Sequence, residues 1–253
     1  MKFKVWFGNI TLMNINANLA FEICQEYYGV KKCGFNNVNI DDLTESISFC
    51  RNYNNYCHTV QFLNSKTIEI PMKIFSMYSN LQSLDISFSG VQSANPNTFE
   101  DANKLILLNM STNSLKELQN YAFSGANSLK ILDLGNNQIS SIDEKTFFNL
   151  TILQSLFLSN NQLKVLKKNV FDTLETLSKL DLQNNQLISL EQDLFNSVNF
   201  LDYLWLKNNS LTSLEFTKLN VNMLNAMNNQ LKTIQVITGM QELYLSHNNI
   251  YGG

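Results

Sequence analysis

From Leu105 to Ser213 one pattern returns every 24 residues. Leu105, Leu129, Leu153, Leu177 and Leu201 each open a unit of the form L-x-x-L-x-L-x-x-N-x-L-x-x-L, with phenylalanine five residues on in most copies. No other feature restricts the fold as tightly. A unit this short cannot close a core of its own, so it buries apolar surface only by stacking against copies of itself. The chain must therefore be a quasi-linear solenoid rather than a globule.

The spacing assigns roles within the unit. Leu153, Leu156 and Leu158, with Leu163 and Leu166 after the turn, point inward. Asn113, Asn137, Asn161, Asn185 and Asn209 recur where the strand bends, and an amide carries both donors and an acceptor for turn backbone that would otherwise go unpaired. Phe75, Phe99, Phe123, Phe147, Phe171 and Phe195 form a second column that fills the convex side.

The same register runs back to Cys57 through two degenerate units, Val60, Phe62, Ser65 and Ile70, then Leu81, Leu84, Ile86, Ser89 and Val91. Beyond Leu201 the units shorten, opening at Val221 and Met240, at intervals of 20 and 19 residues. Residues 57–253 thus hold about nine repeats, with curvature expected to change near the shorter ones. No cysteine cluster or polar helix follows Ile250, so the sequence is expected to be a fragment lacking a C-terminal cap.

Ahead of the repeats, Lys2 and Lys4 precede a partly apolar run from Val5 to Ala20, which reads as a signal peptide over residues 1–20. Residues 21–56 then form an N-terminal cap. All four cysteines lie at this end, Cys24, Cys33, Cys50 and Cys57, as expected for disulfides stapling the open edge of a solenoid. Three pairings are possible, and Cys24 with Cys33 and Cys50 with Cys57 is favoured because each pair brackets a short segment. Their spacings do not match zinc ligand pairs.

Composition removes other classes. A net charge of −3 with scattered lysine and arginine lacks the basic footprint of a nucleic-acid binder. His58 and His247 stand at opposite ends, and neither G-x-S-x-G, a P-loop nor G-x-G-x-x-G occurs. No catalytic, cofactor or metal residues are assigned, and no stretch approaches the roughly 20 apolar residues of a membrane span.

The unit resembles the leucine-rich repeat of the long extracellular type. More narrowly, the run from Cys24 to Cys33, followed by Phe35, Val38, Asn39, Ile40 and Asp41, is similar to the cap of the mosquito leucine-rich-repeat immune proteins (LRIM and APL), as is the switch to shorter repeats. The resemblance implies an α/β curved horseshoe, with a parallel β-sheet on the concave face and short helices, 3-10 turns and loops on the convex face. Proteins of that family pair through a C-terminal coiled coil and hold a complement-like thioester protein in insect blood. That region is missing from this sequence, and a dimer is expected only through it.

Alternate residues of each strand face the hollow. The central outward column reads Gln61, Asp85, Asn109, Asp133, Phe157, Asp181, Trp205, Asn225 and Tyr244. Phe157, Tyr203, Trp205, Met223, Met227 and Tyr244 are the candidate partner-binding residues, because aromatic side chains dominate protein interfaces. Sequons at Asn9, Asn109, Asn149 and Asn208 are candidate glycosylation sites, the last three favoured. The expected function is a secreted, non-enzymatic protein-binding module of insect innate immunity. The rival is the ectodomain fragment of a receptor or adhesion protein, and the downstream transcript would separate the two.

Overall fold

The computed structural model describes residues 6–7, 10–15, 20–27, 30–36, 57–216, 218–235 and 239–250; side chains are described from Cys33 onward, Gln192 excepted. The leucine pattern becomes one strand per unit. These are β5 (Cys57–Leu63), β6 (Ser83–Asp85), β7 (Leu107–Asn109), β9 (Ile131–Asp133), β11 (Ser155–Phe157), β12 (Lys179–Asp181), β13 (Phe200–Trp205), β15 (Asn220–Asn225) and β17 (Glu242–Tyr244). They pair in parallel and in sequence order, with Leu108, Leu132, Leu156, Leu180, Leu204 and Leu224 in direct register across the sheet. The sheet does not begin at Cys57. It runs back through β1 (Trp6–Phe7), β2 (Ile10–Ile15), β3 (Ala20–Tyr27) and β4 (Val30–Asn36), giving 13 strands in all. β1 to β4 are antiparallel to one another, and β4 joins β5 in parallel. A cap built this way covers the edge of β5, which would otherwise present unpaired backbone groups.

After each strand the chain turns through one left-handed residue. Asn64, Phe88, Thr112, Asn136, Asn160, Asn184, Asn208, Asn228 and His247 all have φ between 48° and 59°. From Thr112 to Asn228 the residue directly after the left-handed one is the buried asparagine, whereas Ser65 and Ser89 hold that place in the first two units. Asn161 is typical: its Nδ2 donates to the carbonyls of Leu134 (3.0 Å), Leu158 (3.0 Å) and Ser159 (3.3 Å), and its Oδ1 accepts from the Ile139 N–H at 2.9 Å. One side chain thus ties two adjacent coils together. The ladder continues from Asn113 to Asn248, including the shorter units at Asn229 and Asn248.

Past the turn lie two short parallel sheets, β8 (Glu117–Leu118) with β10 (Ser141–Ile142), and β14 (Ser213–Leu214) with β16 (Thr233–Ile234). The outer side has little helix. It carries α1 (Lys73–Met77), a 3-10 turn at Gln192–Phe195, and otherwise tight turns. Phenylalanine fills it as expected: Phe75, Phe99, Phe123, Phe147, Phe171 and Phe195 are buried and pack ring on ring, with centroids 5.4 to 6.3 Å apart. Gly125 sets the closest backbone approach there. Its φ is +99°, and a Cβ would stand 2.1 Å from the Phe99 carbonyl oxygen, so no other residue fits.

Candidate binding face

The concave sheet presents one central column whose members face each other in register. Asp85 is paired with Asn109, Asn109 with Asp133, Asp133 with Phe157, Phe157 with Asp181, Asp181 with Trp205, Trp205 with Asn225, and Asn225 with Tyr244. Neighbouring strands lie about 4.8 Å apart, so these side chains touch or nearly touch.

The local fold explains part of this column. At Asp85, Asn109, Asp133, Asp181 and Asn225, Oδ1 accepts the backbone N–H two residues on, from Ser87, Ser111, Gly135, Gln183 and Met227, at 2.9 to 3.3 Å. A short side-chain acceptor is what the strand end asks for. Phe157 and Trp205 break that rule, because neither has an acceptor. Their presence is not required by the turn.

The aromatic end is organised by contact. The rings of Tyr203 and Trp205 stack with centroids 5.2 Å apart and planes 7° apart, and Lys179 Nζ sits 5.4 Å from the centre of the Tyr203 ring. Met223 is the direct neighbour of Tyr203 on β15, and Met227 lies just past that strand. Tyr244 on β17 is 44% exposed, and its hydroxyl donates to Glu242 Oε2 at 2.9 Å. That bond to a carboxylate raises the phenol above its ordinary value. The other five candidates, Phe157, Tyr203, Trp205, Met223 and Met227, are half-buried. In the central column Asp181 therefore stands between Phe157 and Trp205, and Asn225 between Trp205 and Tyr244, while Tyr203, Trp205 and Met223 sit on adjoining strands.

The sequence places Asp133 and Asp181 in this column but does not show how deeply they are buried. Asp181 is buried, and burial is the main cause that raises its pKa. Hydrogen bonds from the Gln183 N–H, Ser159 and the Gln183 side chain oppose the shift, and the charge of Asp133 adds to it. Asp133 is raised in the same way, by burial first, against the Gly135 N–H and with Asp85 nearby. Among the described residues no basic side chain forms an ion pair with either. The ion pairs that do form lie outside the hollow, Lys167 with Asp143 at 2.5 Å and Lys168 with Asp193 at 3.0 Å. Two open depressions on that outer margin are lined by Asn120 and Asp143, with Glu117 and Ser141 in one and Lys145 and Lys167 in the other.

Of the candidate glycosylation sites, Asn149 is exposed with φ of 66° on the outer side. Asn208 is exposed beside the hollow, in a surface chain where its Nδ2 donates to Asn184 and its Oδ1 accepts from Asn228. Asn109 is half-buried on β7, its Oδ1 taken by the Ser111 N–H and hydroxyl. Asn9 and Cys50 lie outside the described residues. Cys24 and Cys33 are directly opposed across β3 and β4, while the Cys57 Sγ is 3.0 Å from the Cys33 Sγ. Among the described residues no group of three His, Cys, Asp or Glu side chains is arranged to hold a metal ion, and no helix is long and apolar enough to cross a membrane.

A parallel sheet lining a hollow, an asparagine ladder from Asn113 to Asn248 and a phenylalanine spine define a solenoid of the leucine-rich-repeat fold. The family model for the leucine rich repeat matches residues 79–139 and 127–187. Among solved structures, the chain is similar to the LRIM1/APL1C complex (24% identity, TM-score 0.74) over 87% of its own length and 41% of that chain. It is also similar to the APL1 leucine-rich repeat domain (24% identity, TM-score 0.72), over 88% and 60%. The resemblance to the mosquito LRIM and APL proteins read from the cap is thus matched by the fold. The Drosophila Toll–Spatzle complex is a more distant match, at 16% identity and TM-score 0.58, over 97% of this chain and 47% of that one. The chain spans about two fifths and three fifths of the first two structures. No curated protein sequence matches it.

Proposed function

We propose that this chain is a non-enzymatic, secreted recognition module of insect innate immunity that binds a protein partner on its concave face, around Phe157, Tyr203, Trp205, Met223, Met227 and Tyr244. The observation that carries the reading is the stacked Tyr203 and Trp205 pair, on a strand position where Asp or Asn serves the fold in other units. Large aromatics held flat in a hollow, half out of water, supply contact area at little loss of side-chain freedom. Two of the similar folds were solved as protein complexes, LRIM1 with APL1C and Toll with Spatzle, which supports protein as the ligand class. Signal-peptide cleavage after Ala20 would remove β1 and β2; a glycan at Asn149 would stand on the outer side, whereas one at Asn109 or Asn208 would stand on or beside the hollow and restrict what docks there.

The test is Trp205→Ala, read as affinity for the partner that co-purifies from haemolymph and as thermal midpoint. A loss of affinity of about 2 kcal/mol with little change in midpoint is expected. Unchanged affinity with a lowered midpoint would make the stack structural. The receptor-ectodomain alternative draws on the likeness to Toll; a membrane span encoded downstream would favour it, and a coiled coil the immune scaffold.

A further inference from the structure

Resting on the concave-face reading above, we infer that the row Asp133, Phe157, Asp181, Trp205 is built to seat a cationic side chain, so that the partner presents an arginine- or lysine-bearing segment to this face. The four residues stand on four adjacent strands in direct register, alternating carboxylate and aromatic ring. The fold accounts for the oxygen acceptor at positions 133 and 181, but not for its charge. Asn109 and Asn225 make the same bond to the N–H two residues on without any charge. The negative charges at Asp133 and Asp181 are therefore surplus to folding. They are also partly desolvated, and among the described residues no cation forms an ion pair with them; Lys179, on the strand of Asp181, lies over Tyr203 instead. A half-buried carboxylate at Asp133 and a buried one at Asp181, with aromatic residues on the neighbouring strands, are complementary to a guanidinium or ammonium group, which pairs with the former and stacks on the latter. Such a cation would also relieve the mutual repulsion of Asp133 and Asp181.

The same row disfavours a polyanion. Nucleic-acid binding rests on basic side chains meeting phosphate, whereas here Asp85, Asp133 and Asp181 line the hollow.

The experiment titrates three probes into the full chain: a capped peptide of alternating arginine and serine, its glutamate counterpart, and an oligouridylate, each of about ten units. The arginine peptide is expected to bind, the other two not. Asp181→Asn, Asp133→Asn and Trp205→Ala should each weaken it about tenfold. Asn preserves the bond to the backbone, so the Asp variants stay folded, and Asp143→Asn on the outer margin should change nothing. Equal binding of the arginine peptide by wild type and both Asp variants would overturn the cation row, as would tighter binding of the oligouridylate. A glutamate peptide that binds best and is lost in Trp205→Ala would overturn the cation row while leaving the concave reading intact. Loss of arginine-peptide binding in Asp143→Asn alone would sink both.

Discussion

Tyr203 and Trp205, two residues apart on β13, lie ring on ring at 5.2 Å, so each holds the other's rotamer. Pre-set rings lose little freedom when a partner docks. Tyr203→Ala should therefore weaken binding by about 1 kcal/mol or more even if the partner touches only Trp205, because the indole is released. A double-mutant cycle with Trp205→Ala measures the coupling; additive losses would show that the stack does not organise the site.

The leucine and asparagine columns make different predictions for stability. Leu156 is fully buried between identical neighbours, and Leu156→Ala should cost about 2 to 5 kcal/mol through lost transfer and a cavity. Asn161→Ala removes one of the hydrogen bonds to each of three carbonyls and leaves the Ile139 N–H without its acceptor, on two adjacent coils, costing about 1 to 3 kcal/mol. Denaturant melts of both variants check the register assigned to the whole array.

Phe88 offers a stabilising change. It is 71% exposed and held at φ of 57°, a conformation other units give to asparagine, histidine or, at Thr112, threonine. A bulky residue in the left-handed region costs about 1 to 2 kcal/mol. Phe88→Asn should recover about 1 kcal/mol, seen as a higher thermal midpoint. A lower midpoint would mean that the ring packs on something the fold needs.

The pH dependence has a definite sign. Asp133 and Asp181 have folded pKa values raised above the ordinary 3.8, so the folded chain takes up their protons first. Their charged forms weigh against folding near neutrality, and that burden lifts as pH falls through the raised values toward 3.8. Asp143 and Asp193, lowered by Lys167 and Lys168, act oppositely: their small contribution is present above 3.8 and lost as pH falls through their folded values. Asp181→Asn is therefore expected to raise the midpoint at neutral pH and to flatten its dependence above 3.8. Melts across that range, with Asp85, Lys179, Asp202 and Lys207 unchanged around the site, test it.

For the cap, peptide mapping without reductant is expected to return Cys24 joined to Cys33 and Cys50 joined to Cys57. A Cys33 to Cys57 peptide would replace that pairing with one tying β4 to β5, where the two sulfurs already meet.

The repeat was legible because buried leucines must recur at the period of the coil, and Leu156, Asn161 and Phe171 sit where their spacing put them. The members of the outward column were equally legible, since strands alternate faces. Their state was not. Asp181 reads as a surface carboxylate in sequence, yet it is buried, because depth in the hollow depends on the neighbours Phe157 and Trp205 rather than on alternation. Phe88 hid its strained backbone, since nothing in a phenylalanine announces a left-handed turn unless the column of asparagines around it is noticed first. The strands β1 to β4 were missed for a simpler reason: residues 6–36 carry no repeat, and antiparallel pairing between unlike sequences leaves no period to read.

Interchangeable units raise the hazard of slippage, in which a strand docks one place early and finds nearly the same leucines waiting. The change from 24 to 20 and 19 residues removes that degeneracy at one end, because β13 and β15 pair over five positions whereas most central strands pair over three. The antiparallel hairpin of β3 and β4 removes it at the other. Between these two unlike markers a mis-threaded array would have one coil too many or too few, so the molecule counts its own turns as it folds.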